Sequence, residues 1–134
     1  MADICALYTN AVNSGKYDKI FITASGTIND LGVDSNALYS AATGIYSTLK
    51  NRCPQAYVFA VGNWLGAGGR TAPDASDWAG DAILSQAAAI TGIQYFSPLQ
   101  ANVRNAANYN IFFRPATLIQ FIPVGEVMAS WPIG

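Results

Sequence analysis

The chain has 134 residues and a formal net charge of −1, with 51% apolar residues, 11% charged residues and no histidine. That is the size of one domain, with enough apolar material for a core and too little charge for a disordered chain. Near-neutrality removes any electrostatic case for nucleic acid or an anionic membrane, and no apolar run approaches the roughly 20 residues of a bilayer span.

The first residues, MADICALYTNAV, show neither a basic start nor a cleavable apolar block. No signal peptide is expected, and the location is left unknown, cytoplasmic or virion-associated. Residues 3–14 read as a helix, with Ile4, Leu7, Tyr8, Ala11 and Val12 at helical spacing and Gly15 as a stop. Residues 18–25 read as a strand whose nearly continuous apolar run suits a parallel strand covered on both faces. A second helix is expected over 35–52. Asp34 or Ser35 caps it, Leu38, Ala41, Ala42, Ile45 and Leu49 form its apolar face, Lys50 and Arg52 suit the last-turn dipole, and Pro54 ends it. QAYVFAV, 55–61, reads as a second buried strand. The Gly-rich stretch 62–74 reads as a loop. A third helix is predicted over 75–91, capped by Asp74 with Asp77 three residues on and stopped by Gly92, and IQYFSPL, 93–99, reads as a third strand.

The order α-β-α-β-α-β implies right-handed crossovers and a parallel sheet, with working residues just beyond the carboxyl ends of the strands. Residues 100–134 differ. They are Asn-rich at first, then apolar without a clean helical or strand period. There is no internal repeat, so the whole is one domain, with a patterned part over 1–99 and an atypical tail over 100–134.

The first strand ends in Gly26-Thr27-Ile28-Asn29-Asp30, and a capped helix follows. This arrangement resembles block III of the SGNH (GDSL-type) hydrolases, which reads Gly-x-Asn-Asp or Gly-Gly-Ile-Asn-Asp. The preceding YDKIFITAS is similar to the family's strand, and the resemblance covers roughly residues 16–100. It implies a three-layer, flavodoxin-like α/β/α sandwich and an esterase or carbohydrate O-deacetylase lineage, with an ester or acetylated carbohydrate as ligand. It assigns the oxyanion hole to the Asn29 side-chain amide and the Gly26 backbone N–H, and loop bracing to Asp30. Such donors, aimed at the oxygen that gains charge in acyl transfer, are worth roughly 3–4 kcal/mol each.

The rest of the family's machinery is missing from these residues. There is no Gly-Asp-Ser nucleophile block and no histidine to act as base. A serine hydroxyl needs an adjacent base to attack at neutral pH, so no catalytic residue is assigned and the chain is expected to be inactive by itself. Relative to the family, the first strand unit is expected to be lacking. The tail offers a reason for the missing histidine. Reading its codons one base back forces Ile or Val across Gln120-Phe121, Gly across Met128-Ala129 and Ala across Trp131-Pro132. The same frame permits Asp across Leu118-Ile119, His across Phe121-Ile122, Pro across Ile122-Pro123 and Gly-His across Glu126 to Met128. The assembled Asp-x-(Ile/Val)-His-Pro-x-x-x-Gly-His-Gly-x-Leu-Ala is similar to the family's block V, so residues 100–134 are read as an out-of-frame translation of it.

Other candidates carry less. The loop after the second strand holds glycines and Arg70 but lacks the Lys-Ser/Thr of a phosphate-binding loop, so no nucleotide is expected. Asp74, Asp77 and Asp81 are read as complementing the helix dipole rather than as an acid-base pair. Trp64 and Trp78 are read as core or rim packing. Cys5 and Cys53 are read as small buried hydrophobes, and their spacing does not decide whether they pair. Without His or a Cys-x-x-Cys pair no metal is expected, and no cofactor. Beyond the hydrolase reading stand two others: a non-catalytic structural or binding module such as a phage virion or tail component, and one half of a split hydrolase. An open sheet edge and an apolar tail also predict a homo-oligomer or a partner chain.

Overall fold

The computed structural model describes residues 2–25, 34–64 and 72–103. In chain order these form α1 (Ala2–Ser14), β1 (Ile20–Ser25), α2 (Ser35–Arg52), β2 (Ala56–Val61), α3 (Ala75–Thr91) and β3 (Gln94–Phe96). The strands make one parallel sheet in the order β1-β2-β3. Ile20 pairs with Ala56 and Ser25 with Val61, while Ala60 pairs with Tyr95. The expected small α/β fold with a short parallel sheet is present, and β3 is shorter than its apolar run suggested. Among the described residues no helix is long and apolar enough to cross a membrane.

The helix ends follow from particular side chains. The Asp34 carboxylate accepts a hydrogen bond from the Ala37 N–H at 3.0 Å, satisfying one of the donors that open α2. Asp74 and Asp77 form a reciprocal capping box at the start of α3. Its end is set by Gly92, whose φ of 72° lies in the left-handed region. There the Gly92 and Ile93 N–H groups turn back to the carbonyls of Ala89 and Ala88. Lys50, in the last turn of α2, donates to the Thr91 carbonyl at 3.0 Å. One cation therefore joins the carboxyl ends of two helices, where the dipoles favour it.

The sheet is covered unevenly. Burial along β1 alternates residue by residue. One face presents Ala24, Val58 and Ala60 to Ala42, Tyr46, Leu84, Ala87 and Ala88 of α2 and α3. The same face presents Ile20, Ile22 and Ala56 to Cys5, Tyr8 and Val12 of α1. All three helices thus lie on one side. The opposite side carries Phe21 and Tyr57, each 53% exposed, with stacked ring centroids 5.3 Å apart. Coverage of β1 on both faces is therefore not what the described residues show. A strand's apolar letters mark two pleated faces, and among the described residues only one of these meets a helix. The described layers number two, helices and sheet.

Two helix faces also differ from expectation. On α1 the buried line is Cys5, Tyr8 and Val12, while Ile4 and Leu7 are exposed, Leu7 by 68%. Among the described residues the helix packs on the sheet along this narrow line near the starts of β1 and β2. The Tyr8 hydroxyl accepts from the Gln55 N–H at 2.9 Å there. On α2, Tyr46 is buried where Ile45 was expected, because α3 and the sheet both close on the line Ala42-Tyr46-Leu49. Ala41 is likewise exposed.

Two glycines separate backbone need from mere occupancy. A Cβ at Gly44, inside α2, would meet nothing within 4 Å. Gly44→Ala is expected to raise stability by about 0.5–1 kcal/mol, because alanine loses less backbone freedom on folding. Gly92→Ala is expected to lower it by about 1–2 kcal/mol, since an L-residue is strained at that positive φ. Urea unfolding of the two variants against the parent chain measures both, with opposite shifts in midpoint.

Candidate functional site at the carboxyl edge of the sheet

Because the strands are parallel, Ser25, Val61 and Phe96 all end at the same edge. The segments 26–33, 62–74 and 97 onward leave from there. β1 is an outer strand of the described sheet, and its exit segment carries the Gly-x-x-Asn-Asp sequence. Gly26, Asn29 and Asp30 themselves lie outside the described residues, as do Arg70 and residues 104–134. What is fixed is their frame: Ser25 on one side, exposed, and the Asp34 cap of α2 on the other.

Behind this edge lies a buried polar network. Asp81 is 2% exposed and sits in the second turn of α3. The Tyr95 hydroxyl donates to its Oδ1, and the Ser97 hydroxyl donates to its Oδ2 at 2.9 Å. Ser97 in turn accepts from the Gln100 N–H at 3.1 Å, closing the turn that follows β3. A buried carboxylate is tolerable only when hydrogen-bonded, and here both oxygens are. Gly62, the first residue after β2, lies against this pair. A Cβ there would fall 2.1 Å from the Tyr95 hydroxyl and 2.6 Å from Asp81 Oδ1. Next to it Asn63 is 2% exposed, and among the described residues no group donates to its side-chain oxygen.

The role expected for Asp81 is thus corrected. It stands beyond the first turn, where the dipole effect fades, and it holds β3 to α3 instead. Asp77 does cap: its Oδ2 accepts from the Asp74 N–H at 2.8 Å, and Asp74 Oδ1 accepts from the Asp77 N–H at 3.1 Å. Trp78 is 43% exposed and Trp64 is partly buried, so Trp78 is a surface residue rather than a core one. The sequence did hold one cue for Asp81. Tyr95 and Ser97 are two apart, and such residues project from the same face of an extended segment.

The network is built to brace and not to react. Burial pushes the Tyr95 hydroxyl well above its ordinary 10.0, and the hydrogen bond to Asp81 adds to this. Burial also raises Tyr46. Ser97 has a carboxylate as neighbour but no imidazole, both of its hydrogen-bonding roles are filled, and it is 9% exposed. A shallow cleft of about 340 Å³ lies at the other end of the sheet, between Lys50, Tyr57 and Ile93, away from all three exit segments. Comparison of the chain with protein-family models, with curated proteins and with solved structures gave no match.

Three outcomes follow from the network. Gly62→Ala is expected to cost about 1–3 kcal/mol, because the new methyl has no room beside Tyr95 and Asp81. Tyr95→Phe is expected to cost a similar amount by leaving Asp81 Oδ1 without that donor. Both are read from urea unfolding at neutral pH. The pH dependence has a definite sign. The folded state holds the Tyr95 proton to higher pH than the unfolded state does. The unfolded chain therefore binds fewer protons above pH 10, and stability falls as pH rises from there. Below pH 10 this contribution is fully present. Tyr95→Phe should flatten the alkaline loss in a series of unfolding curves, although Tyr46 keeps part of it.

Proposed function

We propose that the chain is an SGNH (GDSL-type) hydrolase-like domain of the esterase or carbohydrate O-deacetylase lineage, without catalytic turnover as these 134 residues stand. The observation that supports this best is positional. The segment Gly26-Thr27-Ile28-Asn29-Asp30 leaves the carboxyl end of a parallel strand that is an outer strand of the described sheet. In doubly wound sheets, ligands bind beyond such ends, where the strand order reverses. A flavodoxin-like, three-layer arrangement belongs to this proposal. Strands added in one direction by right-handed crossovers keep their helices on one face, and a reversal beside β1 would put further helices on the other. The half-exposed Phe21 and Tyr57 are the surface such a layer would cover.

In this reading Asn29 and Gly26 present their N–H groups to an ester or acetyl carbonyl, and Asp30 braces the loop. No oxygen nucleophile is activated, because the chain has no histidine. A second reading, a non-catalytic structural or binding module such as a virion component, draws support from the same exposed aromatic pair. Such a surface is suited to a second copy or a partner chain. A split hydrolase, with a partner supplying Ser and His, joins the two.

An acetyl-ester hydrolysis assay on the purified chain, alone and mixed with products of neighbouring genes, separates these readings. The chain alone should give no turnover above that of its Asn29→Ala variant. Turnover restored by a second chain, and lost again with Asn29→Ala, identifies the split enzyme. Asn29-dependent turnover by the chain alone would defeat the inactive reading. A stable oligomer with no turnover in any mixture favours the structural module. The coding DNA tests the reading of the tail: the codons of Phe121 and Ile122 should spell CAT across their junction, and any other triplet there rejects it.

A further inference from the structure

The two cysteines, 48 positions apart in sequence, meet in one buried cluster. Cys5 lies in α1 and is 5% exposed. Cys53 is the carboxyl cap residue of α2 and is 1% exposed. Both are free thiols, packed with Tyr8 and flanked by Val12, Ile20, Ile22 and Ala56. Burial first, then the nearness of Cys5, raises the Cys53 thiol. The helix that carries Cys5 is the least secured element described. Its contact with the sheet is the narrow line of Cys5, Tyr8 and Val12, and Ile4 and Leu7 face solvent.

We propose that Cys5 and Cys53 form a reversible intramolecular disulfide that staples α1 to the junction of α2 and β2, with a small-molecule disulfide of the glutathione class as the oxidant. The chemistry balances in two exchanges. When α1 lifts from the sheet, the Cys5 thiol loses its proton to water and its thiolate attacks one sulfur of the oxidant. A mixed disulfide forms, and one thiolate leaves. The Cys53 thiol then gives up its proton and attacks the protein sulfur of that mixed disulfide. The protein disulfide forms, and the second half of the oxidant leaves as a thiolate that takes up a proton. Two electrons pass from the protein to the oxidant, which ends as two thiols. Cys5 acts first because it is the more exposed of the two and sits on the weakly held helix. The fold favours the second exchange by holding Cys53 beside Cys5, and by linkage the disulfide favours the docked helix.

The test equilibrates the full chain in glutathione buffers of graded thiol-to-disulfide ratio, natively and in urea. Samples are quenched in acid, alkylated and weighed intact. A tryptic map without reductant then locates the link, since cleavage after Lys16 and Arg52 puts the two cysteines in separate peptides. The native chain should lose two hydrogens and yield the linked Cys5 and Cys53 peptides. Its conversion should need a buffer roughly tenfold less oxidising than the unfolded chain does, about a 30 mV difference for a two-electron couple. The oxidised chain should also show a higher urea midpoint and slower amide exchange in α1. Cys5→Ser should abolish the loss of two hydrogens, and the folded parent chain provides the same reading should that variant not fold. Three results would overturn the proposal: glutathione adducts without the linked peptides, cross-linked dimers in place of the internal bond, or equal conversion of native and unfolded chains.

Discussion

Right-handed crossovers that add strands in one direction force every connecting helix onto the same side of a parallel sheet. That constraint governs this molecule. It is why the two crossover helices α2 and α3 share one face, to which α1, ahead of β1, also packs, why Ala60 and Val58 meet Tyr46 and Leu84, and why Phe21 and Tyr57 look outward. It also fixes one edge of the sheet as the place where all three connections leave the strands. Among the described residues the other side of the three-stranded sheet shows exposed aromatic rings and no helix. In the hydrolase reading a second layer of the same domain would cover it, and in the module reading another chain would.

The carboxyl edge divides into two kinds of polar residue. Asp81, Tyr95 and Ser97 are buried, mutually hydrogen-bonded and turned into the structure. They hold β3 to α3 and fix the turn after it, and Gly62 lets the end of β2 approach them. Each oxygen of this carboxylate already accepts a hydrogen bond. Any chemistry at this edge would therefore fall to groups outside the network. In the proposed reading these are the donors of Gly26 and Asn29. In that reading bracing by Asp81 would complement presentation by Asn29, since oxyanion stabilisation depends on donors that need not reorganise when charge develops.

Much of the fold was legible because its signals are local. Asp34, Asp74, Asp77 and Gly92 act through the backbone next to them, so the ends of α2 and α3 could be read from the letters alone. Coverage is not local. Ile20-Phe21-Ile22 spells a buried strand whether one face meets helices or two, and only the winding direction decides. On α1, apolar residues at 4, 5, 7 and 8 run around too much of the helix to name a single face, and the narrow contact chose Cys5 and Tyr8. The Asp81 network joins residues 14 and 16 apart through a crossover, a distance that no capping or periodicity rule spans. The meeting of Cys5 and Cys53 in one buried cluster was hidden for the same reason. Of the candidate site, its position at the sheet edge was legible, and the Gly26, Asn29 and Asp30 side of it rests on the motif alone.

The most direct test of the account is an experimental structure of residues 26–30 in the intact chain. The account predicts that the Gly26 backbone N–H and the Asn29 side-chain amide converge on one point beyond β1, each about 3 Å from it, as donors to a single oxygen must be. Donors that point apart, or an Asn29 amide spent on capping α2, would contradict it.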